Sequence, residues 1–348
     1  MSNETYLLTT LMSAAIGRSP EPDLSEAGTS WADFLTALAE ITHADTAKMY
    51  LIENGQPVAC WQVGEDWAGP DISESGQMRT SRVYSQFDLP SGLGAEATLC
   101  PLRAIRWRIA QNSWGVLLLR RRDEDFRAID GQHLSNLLPY LAPAVQGWQR
   151  LRQERAHGVL AHRVSAGLGA GWILFSRSGQ VASMAPGLAG RLEALAGIRL
   201  SAEGWLLFPA SHAGGLREAL SALTAGETGP QILWLSTAPP VQMVLSVEEY
   251  AGFPEVVGRV RHEVTASHLP LTWIMSAFHL NRSEARLAVA LCDGLSLSEA
   301  AGQLGWTVET ARSNSKRLFA RMGVSGQADV VRALLRSAVW LGPDPGVA

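Results

Sequence analysis

Four residues in the last quarter of the chain have types and a spacing suited to binding a polyanion: Arg312, Ser313, Lys316 and Arg317. Their positions follow the order i, i+1, i+4 and i+5, which places them on one face if this stretch is helical. Guanidinium and ammonium groups donate hydrogen bonds to phosphate oxygens and to the guanine edge, and a hydroxyl group can bind either. The face is therefore a candidate nucleic-acid contact.

The charge distribution favours the same interpretation. Residues 308–336 contain six basic and two acidic side chains, a net charge of +4, so the rest of a chain whose net charge is −4 carries −8. A basic segment in an otherwise acidic protein indicates an anionic partner for that segment alone. Lys48 and Lys316 are the only lysines in the sequence, so arginine supplies nearly all of the positive charge.

Cap and turn residues predict four helices around this face, within the stretch Leu280–Leu335. The expected helices run from about Ser283 to Cys292, from the N-cap Ser296 to Leu304, from the N-cap Thr307 to Met322, and from the N-cap Ser325 onward. Ser296 and Glu299 have the spacing of a capping box, and Gly305 is suited to the turn that follows. Two short helices joined by a glycine-containing turn, the second of them basic, form the helix-turn-helix pattern.

The stretch resembles the DNA-binding domain of LuxR-type transcription regulators over about a sixth of the chain. The residues that fall without a gap at that family's spacing are Leu280, Glu284, Gly294, Ser296, Glu299, Ala301, Leu304, Thr310, Leu318, Gly323 and Val324. The chain departs from the pattern with Trp306 at an aliphatic position, Ala311 in place of valine and Asn314 in place of histidine. We expect these departures to alter the preferred DNA sequence and to leave the fold intact.

The resemblance implies a role for each exposed residue. It places Arg312, Ser313 and Lys316 at base-contacting positions and Thr310 at a backbone-contacting one, with Arg317 on the same face. It also implies a homodimer that binds an inverted-repeat operator in double-stranded DNA. RNA polymerase and a small-molecule effector are further partners that such a regulator would have.

The preceding part of the chain is expected to form two α+β units, residues 1–157 and 158–265, followed by the helical domain at 266–348. The elements expected in the first unit are a helix at 31–41 capped by Ser30, strands at 47–52, 57–63, 82–87, 98–107 and 114–119, and a long helix from Gln132. Asn54-Gly55 predicts a tight hairpin, and Pro139 and Pro143 are expected to kink or split the long helix. The order of helix, antiparallel sheet and helix resembles GAF and PAS sensor domains.

The second unit opens with strands at 171–175 and 180–184 around the turn 176–179, which resembles the opening hairpin of a PAS domain. Ser176 stands where that family commonly has aspartate, and Ala185 where it commonly has asparagine. A helix at 216–223, strands at 231–235, 241–247 and 256–264, and a linker at 265–270 are expected to follow. The predicted fold class is thus α+β, with two GAF/PAS-like antiparallel-sheet domains and an all-α four-helix LuxR-type helix-turn-helix domain.

The residues before the helical domain are compatible with more than one role. Nine of the twelve tryptophans lie before residue 240, which is compatible with an aromatic-lined pocket and with ordinary core packing. The arginines between Arg103 and Arg122 fit either an anionic ligand or a solvated strand face. Two hypotheses remain open: a regulator whose front half binds a small molecule, and an effector-independent one whose front half serves dimerisation or protein contact. No ligand-binding residue is assigned.

Other classes of protein are disfavoured. G-x-S-x-G, H-E-x-x-H and P-loop motifs are absent from the sequence, so we expect no enzyme activity, catalytic residue or cofactor. A phosphorylated response regulator needs a lysine that the stretch between Lys48 and Lys316 lacks. Cys60, Cys100 and Cys292 are widely separated, which favours a reducing cytoplasm and no metal site. No apolar run approaches the ~20 residues of a membrane span.

Overall fold

The computed structural model describes residues 2–17, 27–67, 72–90, 100–209, 213–227, 229–250 and 252–342. The chain divides into two units, residues 1–157 and 158–348. Within the described residues each unit contains a five-stranded antiparallel sheet, and the second unit also contains the C-terminal helices. The protein is thus a mixed α and β protein with two antiparallel sheets and a C-terminal helical region.

In its described residues the first unit combines one five-stranded sheet with three α-helices. Its elements are α1 Asn3–Ile16, α2 Ala27–Thr42, β1 Thr46–Glu53, β2 Gln56–Gly64, β3 Val83–Ser85, β4 Leu102–Ala110, β5 Ser113–Arg120 and α3 Ala128–Gly167, which continues into the second unit. The strand order is β2-β1-β5-β4-β3. Asn54 and Gly55 both have positive φ, 51° and 80°, and close the β1–β2 hairpin as the Asn-Gly pair predicts.

The boundaries of several elements differ from the prediction. Ser30 does not cap α2, because the helix already begins at Ala27, and α1 was not predicted. The strand expected at 82–87 is confined to Val83–Ser85. The strand expected at 98–107 begins at Leu102, and residues 98–99 lie outside the described part of the chain.

Helix α3 is not split by its two prolines. Pro139 and Pro143 are both exposed, so the carbonyl groups that lose a partner there face water. The opposite side of the helix carries the predicted apolar stripe, and its buried members are Leu134, Leu137, Leu141, Val145 and Trp148. Packing of this stripe keeps the helix continuous over a stretch that local propensity alone would interrupt.

Three tryptophans form the centre of the first core. The ring centre of Trp31 lies 5.7 Å from that of Trp61 and 6.2 Å from that of Trp148, and the ring centres of Trp61 and Trp148 are 5.4 Å apart. All three are buried, as is Trp107. Core packing is therefore the correct interpretation of these four side chains, and the sheet and helices of this unit close around them.

The second unit repeats the strand order of the first. Its elements are β6 Ala170–Phe175, β7 Val181–Met184, α4 Leu188–Ala196, β8 Arg199–Leu200, β9 Leu206–Leu207, α5 Ala213–Thr224, β10 Gln231–Thr237, β11 Pro240–Tyr250 and β12 Phe253–His262. The main sheet has the order β10-β11-β12-β6-β7, which matches the first sheet when the strands are counted within each five-stranded sheet and read from the opposite edge. Helix α4 and the β8–β9 pair were not predicted. The shared order is not visible as a sequence repeat.

Five α-helices lie between residue 266 and residue 342, all of which are described. They are α6 Leu271–Phe278, α7 Arg282–Cys292, α8 Leu297–Leu304, α9 Val308–Met322 and α10 Gln327–Leu335. The four expected helices are present, and α6 is an addition that the spacing of Leu271, Ile274 and Phe278 could have indicated. Ser325 is not the N-cap of α10. That position belongs to Gly326, while the Ser325 hydroxyl donates to the Asp329 carboxylate at 2.7 Å.

The segment expected to be a linker, residues 265–270, is hydrogen-bonded to the helices. Ala266–His268 forms a short 3-10 turn in which Ala266 is buried. The carboxylate of Asp293, at the end of α7, accepts hydrogen bonds from the backbone N–H groups of Ala266 and Ser267, the second at 3.1 Å. Because the Asp293 side chain binds two backbone N–H groups of this segment, the start of the segment is fixed against the end of α7.

Candidate nucleic-acid interface

The turn between α8 and α9 is defined by caps on both sides. Ser296 Oγ accepts from the Glu299 N–H at 3.3 Å, and the Glu299 carboxylate accepts from the Ser296 N–H at 2.8 Å, which completes the predicted capping box. Hydrogen bonds from the Ser296 side chain and backbone to this carboxylate lower the pKa of Glu299. Gly305 ends α8 in the left-handed conformation, with φ 70°. Thr307 then caps α9 by accepting from the Thr310 N–H at 3.1 Å.

Helix α9 has one buried side and one exposed side. Ala311, Ser315 and Leu318 are buried at the spacing i, i+4 and i+7, and α9 contacts both α7 and α8. The five residues predicted to contact DNA are all exposed: Thr310, Arg312, Ser313, Lys316 and Arg317. Since the buried stripe fixes the rotation of the helix, the basic residues are presented together to solvent.

The side chains of this face are free to bind a ligand. Arg312 Nη1 lies 3.6 Å from a carboxylate oxygen of Glu309, but both side chains are exposed, so this pair contributes ~0–1 kcal/mol. Within the part of the chain that the structure describes, the side chains of Ser313, Lys316 and Arg317 form no hydrogen bond or ion pair. A DNA phosphate or base could therefore bind these side chains without breaking a strong hydrogen bond or ion pair within the protein.

The residues that depart from the LuxR-type pattern are less exposed than the basic residues of α9. Asn314 is half-buried and its amide donates to the Thr310 carbonyl at 3.0 Å. Ala311 is fully buried, and Trp306 in the turn packs partly against the core of the helical region. These substitutions adjust packing beneath the face and leave its charge unchanged.

An ion pair missed by the sequence analysis joins the exposed Arg321 of α9 to a buried carboxylate of α7. Glu284 is completely buried, forms a capping box with Asn281, and lies 3.3 Å from the Nε of Arg321. The sequence interpretation counted Arg321 only as part of the basic segment. The spacing of Asn281 and Glu284 is itself a capping-box pattern, which could have identified the start of α7.

The arginines of the first unit serve the fold in at least two cases. Arg106 is buried, donates to the Gly76 and Met78 carbonyls, and stacks 3.8 Å from the centre of the Trp114 ring, and burial lowers its pKa. Arg121 is also buried and donates to the His43 carbonyl at 2.9 Å. A solvated strand face is therefore the wrong interpretation for these two side chains.

The described residues contain no group of three or more histidine, cysteine or acidic side chains placed to hold a metal ion. Burial, together with the neighbouring Asp293, raises the pKa of the Cys292 thiol to about 11. This thiol is therefore protonated at neutral pH. No helix in the described part of the chain combines the length and apolarity that crossing a membrane requires.

Comparison with known proteins gives only distant similarities. No protein-family profile and no curated protein matches the chain. Among solved structures, a GAF domain from a Coxiella burnetii phosphoenolpyruvate-protein phosphotransferase is similar at 16% identity, 45% coverage of this chain, 99% of that one, and a TM-score of 0.30. The N-acylhomoserine lactone dependent LuxR family transcription factor CepR2 from Burkholderia cenocepacia is 17% identical, with 43% of this chain and 99% of that chain covered and a TM-score of 0.29. Escherichia coli SdiA is 8% identical, with 97% of this chain and 99% of that chain covered and a TM-score of 0.28. At TM-scores this low, these similarities do not identify the fold or the function of the chain.

Proposed function

We propose that the protein is a sequence-specific DNA-binding transcription regulator in which α9 is the recognition helix. One observation carries the proposal: the buried stripe of α9 leaves Arg312, Ser313, Lys316 and Arg317 together on the solvent side, directly after a glycine-containing turn. A helix of this kind fits the major groove of B-form DNA. The net positive charge of residues 308–336 supplies the attraction to phosphate.

The exposed residues divide into two roles. Arg312 and Lys316 are long enough to reach base edges, and a bidentate contact from Arg312 to guanine contributes ~1–3 kcal/mol of discrimination. Ser313 lies between them and can accept from or donate to a base. Thr310 lies in the first turn of α9, where a hydroxyl and the backbone N–H groups favour a phosphate. Arg317 binds phosphate on the groove wall.

The proposed active form is a homodimer on an inverted repeat, because one helix-turn-helix contacts too few base pairs for strong specific binding. The C-terminal part of α3 supports this proposal. Leu160 and Val164 of this helix, together with Leu168 directly after it, are spaced by four residues and are 59%, 41% and 39% exposed. Two such helices packed side by side would bury this stripe.

The front half is proposed to control the DNA-binding region. In the first reading it binds a small molecule, and in the second it serves only dimerisation or contact with a protein such as RNA polymerase.

The proposal is tested by selecting sequences from a random DNA pool with the 348-residue chain. We expect enrichment of an inverted repeat containing guanine in each half-site. Arg286→Ala serves as a matched control, because Arg286 is exposed on α7 and lies outside the α9 face. Enrichment of no sequence, or of sequences that bind Arg312→Ala, Lys316→Ala and the wild type equally, would contradict the proposal.

A further inference from the structure

A cavity of about 120 Å³ opens in the second unit between the β6–β7 turn and α5. None of its lining residues belongs to the nucleic-acid face. Leu216 and Leu220 form its inner wall from successive turns of α5, and both are buried members of the unit's core. Trp205 and Phe208, from the segment around β9, form the aromatic side.

The size and lining fit one flat ring. An engineered apolar cavity of about 150 Å³ accepts benzene, so a space of this volume is of the right order for a single six-membered ring with part of it open to solvent. Trp205 is 42% exposed, which leaves its indole face available for stacking. Aromatic side chains favour offset or edge contacts with another ring.

Gly179 in the β6–β7 turn keeps the cavity open. Its φ of +87° lies in the left-handed region, where a side chain would be strained. A Cβ atom at this position would lie 3.5 Å from Leu220 Cδ1 and 3.6 Å from Trp205 Cζ3, between the two walls. The turn therefore approaches α5 with no side chain filling the gap.

Two arginines lie at the mouth of the cavity. Arg177 belongs to the β6–β7 turn and Arg217 to α5, and both are exposed. In the described portion of the chain neither side chain forms an ion pair or a hydrogen bond, and none of the lining residues is acidic. The cavity thus combines an apolar interior with two guanidinium groups that have no anion to neutralise them.

We propose that this cavity binds a small aromatic carboxylate with a single ring. The ring would lie against Trp205 and Phe208, over Leu216 and Leu220. The carboxylate would accept charge-assisted hydrogen bonds from Arg177 and Arg217, whose planar guanidinium groups match its geometry. This inference goes beyond the DNA-binding role, and because binding is measured without DNA it stands or fails independently of that role.

The test is to titrate the 348-residue chain with benzoate and with phenylacetate and to measure binding by tryptophan fluorescence and by calorimetry. We expect saturable binding of at least one acid. Benzamide, which keeps the ring and lacks the charge, should bind at least about tenfold more weakly. Arg217→Gln and Arg177→Gln should each weaken acid binding about tenfold. Arg163→Gln, an exposed arginine on α3 outside the cavity lining, should bind like the wild type.

A second variant protects the test against misfolding. Ser221 lines the cavity from the exposed side of α5, so Ser221→Trp should fill the space without disturbing the core. We expect it to abolish acid binding while the far-ultraviolet circular dichroism and the melting temperature stay unchanged. No binding at millimolar acid, equal affinity for benzamide, or full affinity in the Arg177, Arg217 or Ser221 variants would overturn the proposal.

Discussion

The Nε of Arg321 lies 3.3 Å from a carboxylate oxygen of Glu284, whose side chain is completely buried. The same oxygen accepts from the Asn281 N–H at 3.0 Å, so one carboxylate caps α7 and binds the last turn of α9. Arg321 also donates to the His279 carbonyl at 2.8 Å, at the end of α6. This ion pair therefore fixes α9, which carries the exposed basic face, against α7 and the end of α6.

Loss of this ion pair should destabilise the helical region. Arg321→Ala leaves the Glu284 carboxylate buried without its cation, which we expect to lower the free energy of unfolding by ~1–3 kcal/mol. Urea denaturation measures the change. Arg286→Ala removes an exposed arginine from α7 and should stay within ~0.5 kcal/mol of the wild type. Equal effects of the two substitutions would show that the pair contributes nothing.

Base contact and phosphate contact should be distinguishable on α9. Arg312→Ala is expected to cost ~1–3 kcal/mol on the preferred site and to relax the preference at one base pair, because its guanidinium reads guanine. Arg317→Ala should weaken binding to all sequences about equally, because phosphate carries no sequence information. Binding to a panel of single-base-pair variants checks both. A uniform loss for Arg312→Ala would rule out its base-reading role.

The dimer model predicts the dependence of DNA affinity on salt. If each protomer neutralises ~3 phosphates, the slope of log K against log salt concentration should be near −5. The slope is obtained from binding isotherms at several salt concentrations on a full inverted repeat, with a single half-site as the control. Full affinity for the half-site, or a slope near −1, is incompatible with two recognition helices on one operator.

A buried histidine should make stability sensitive to pH. His262, at the end of β12, is buried beside Arg191 and Arg261, and burial lowers its pKa. The unfolded chain therefore binds a proton near pH ~6.5 that the folded chain does not, so stability falls as pH drops below that value. His262→Gln should flatten this decline between pH 7.5 and 5.5 in urea denaturation. His157→Gln, an exposed control on α3, should not.

The helical region should fold without the rest of the chain. The buried residues of its core cluster run from Ala266 to Trp340, and the hydrogen bonds that the Ala266 and Ser267 N–H groups donate to Asp293 are kept in a fragment of residues 266–348. We expect this fragment to show helical circular dichroism and to bind DNA more weakly than the full chain, which gains from effective concentration in a dimer. An unfolded fragment would refute the predicted boundary at 265/266, and a fragment with full affinity would remove the role proposed for α3.

Local signals were sufficient wherever the decisive contacts lie within about four residues. The Asn54-Gly55 hairpin, the Ser296–Glu299 capping box and the Gly305 turn all form as predicted, because each depends on backbone conformation and hydrogen bonds between near neighbours. The exposed face of α9 was predictable for the same reason, since helix periodicity places Arg312 and Lys316 together.

Contacts between distant parts of the chain were decided by the tertiary structure alone. Composition and spacing do not distinguish Arg106, which is buried against Trp114, from an exposed strand arginine. The continuity of α3 through Pro139 depends on the packing of its other face. Two further features arise only when separate elements pack together: the Glu284–Arg321 ion pair and the cavity between Gly179 and α5. The burial of the residues that form them depends on contacts with distant parts of the chain, so it cannot be read from their neighbours in sequence.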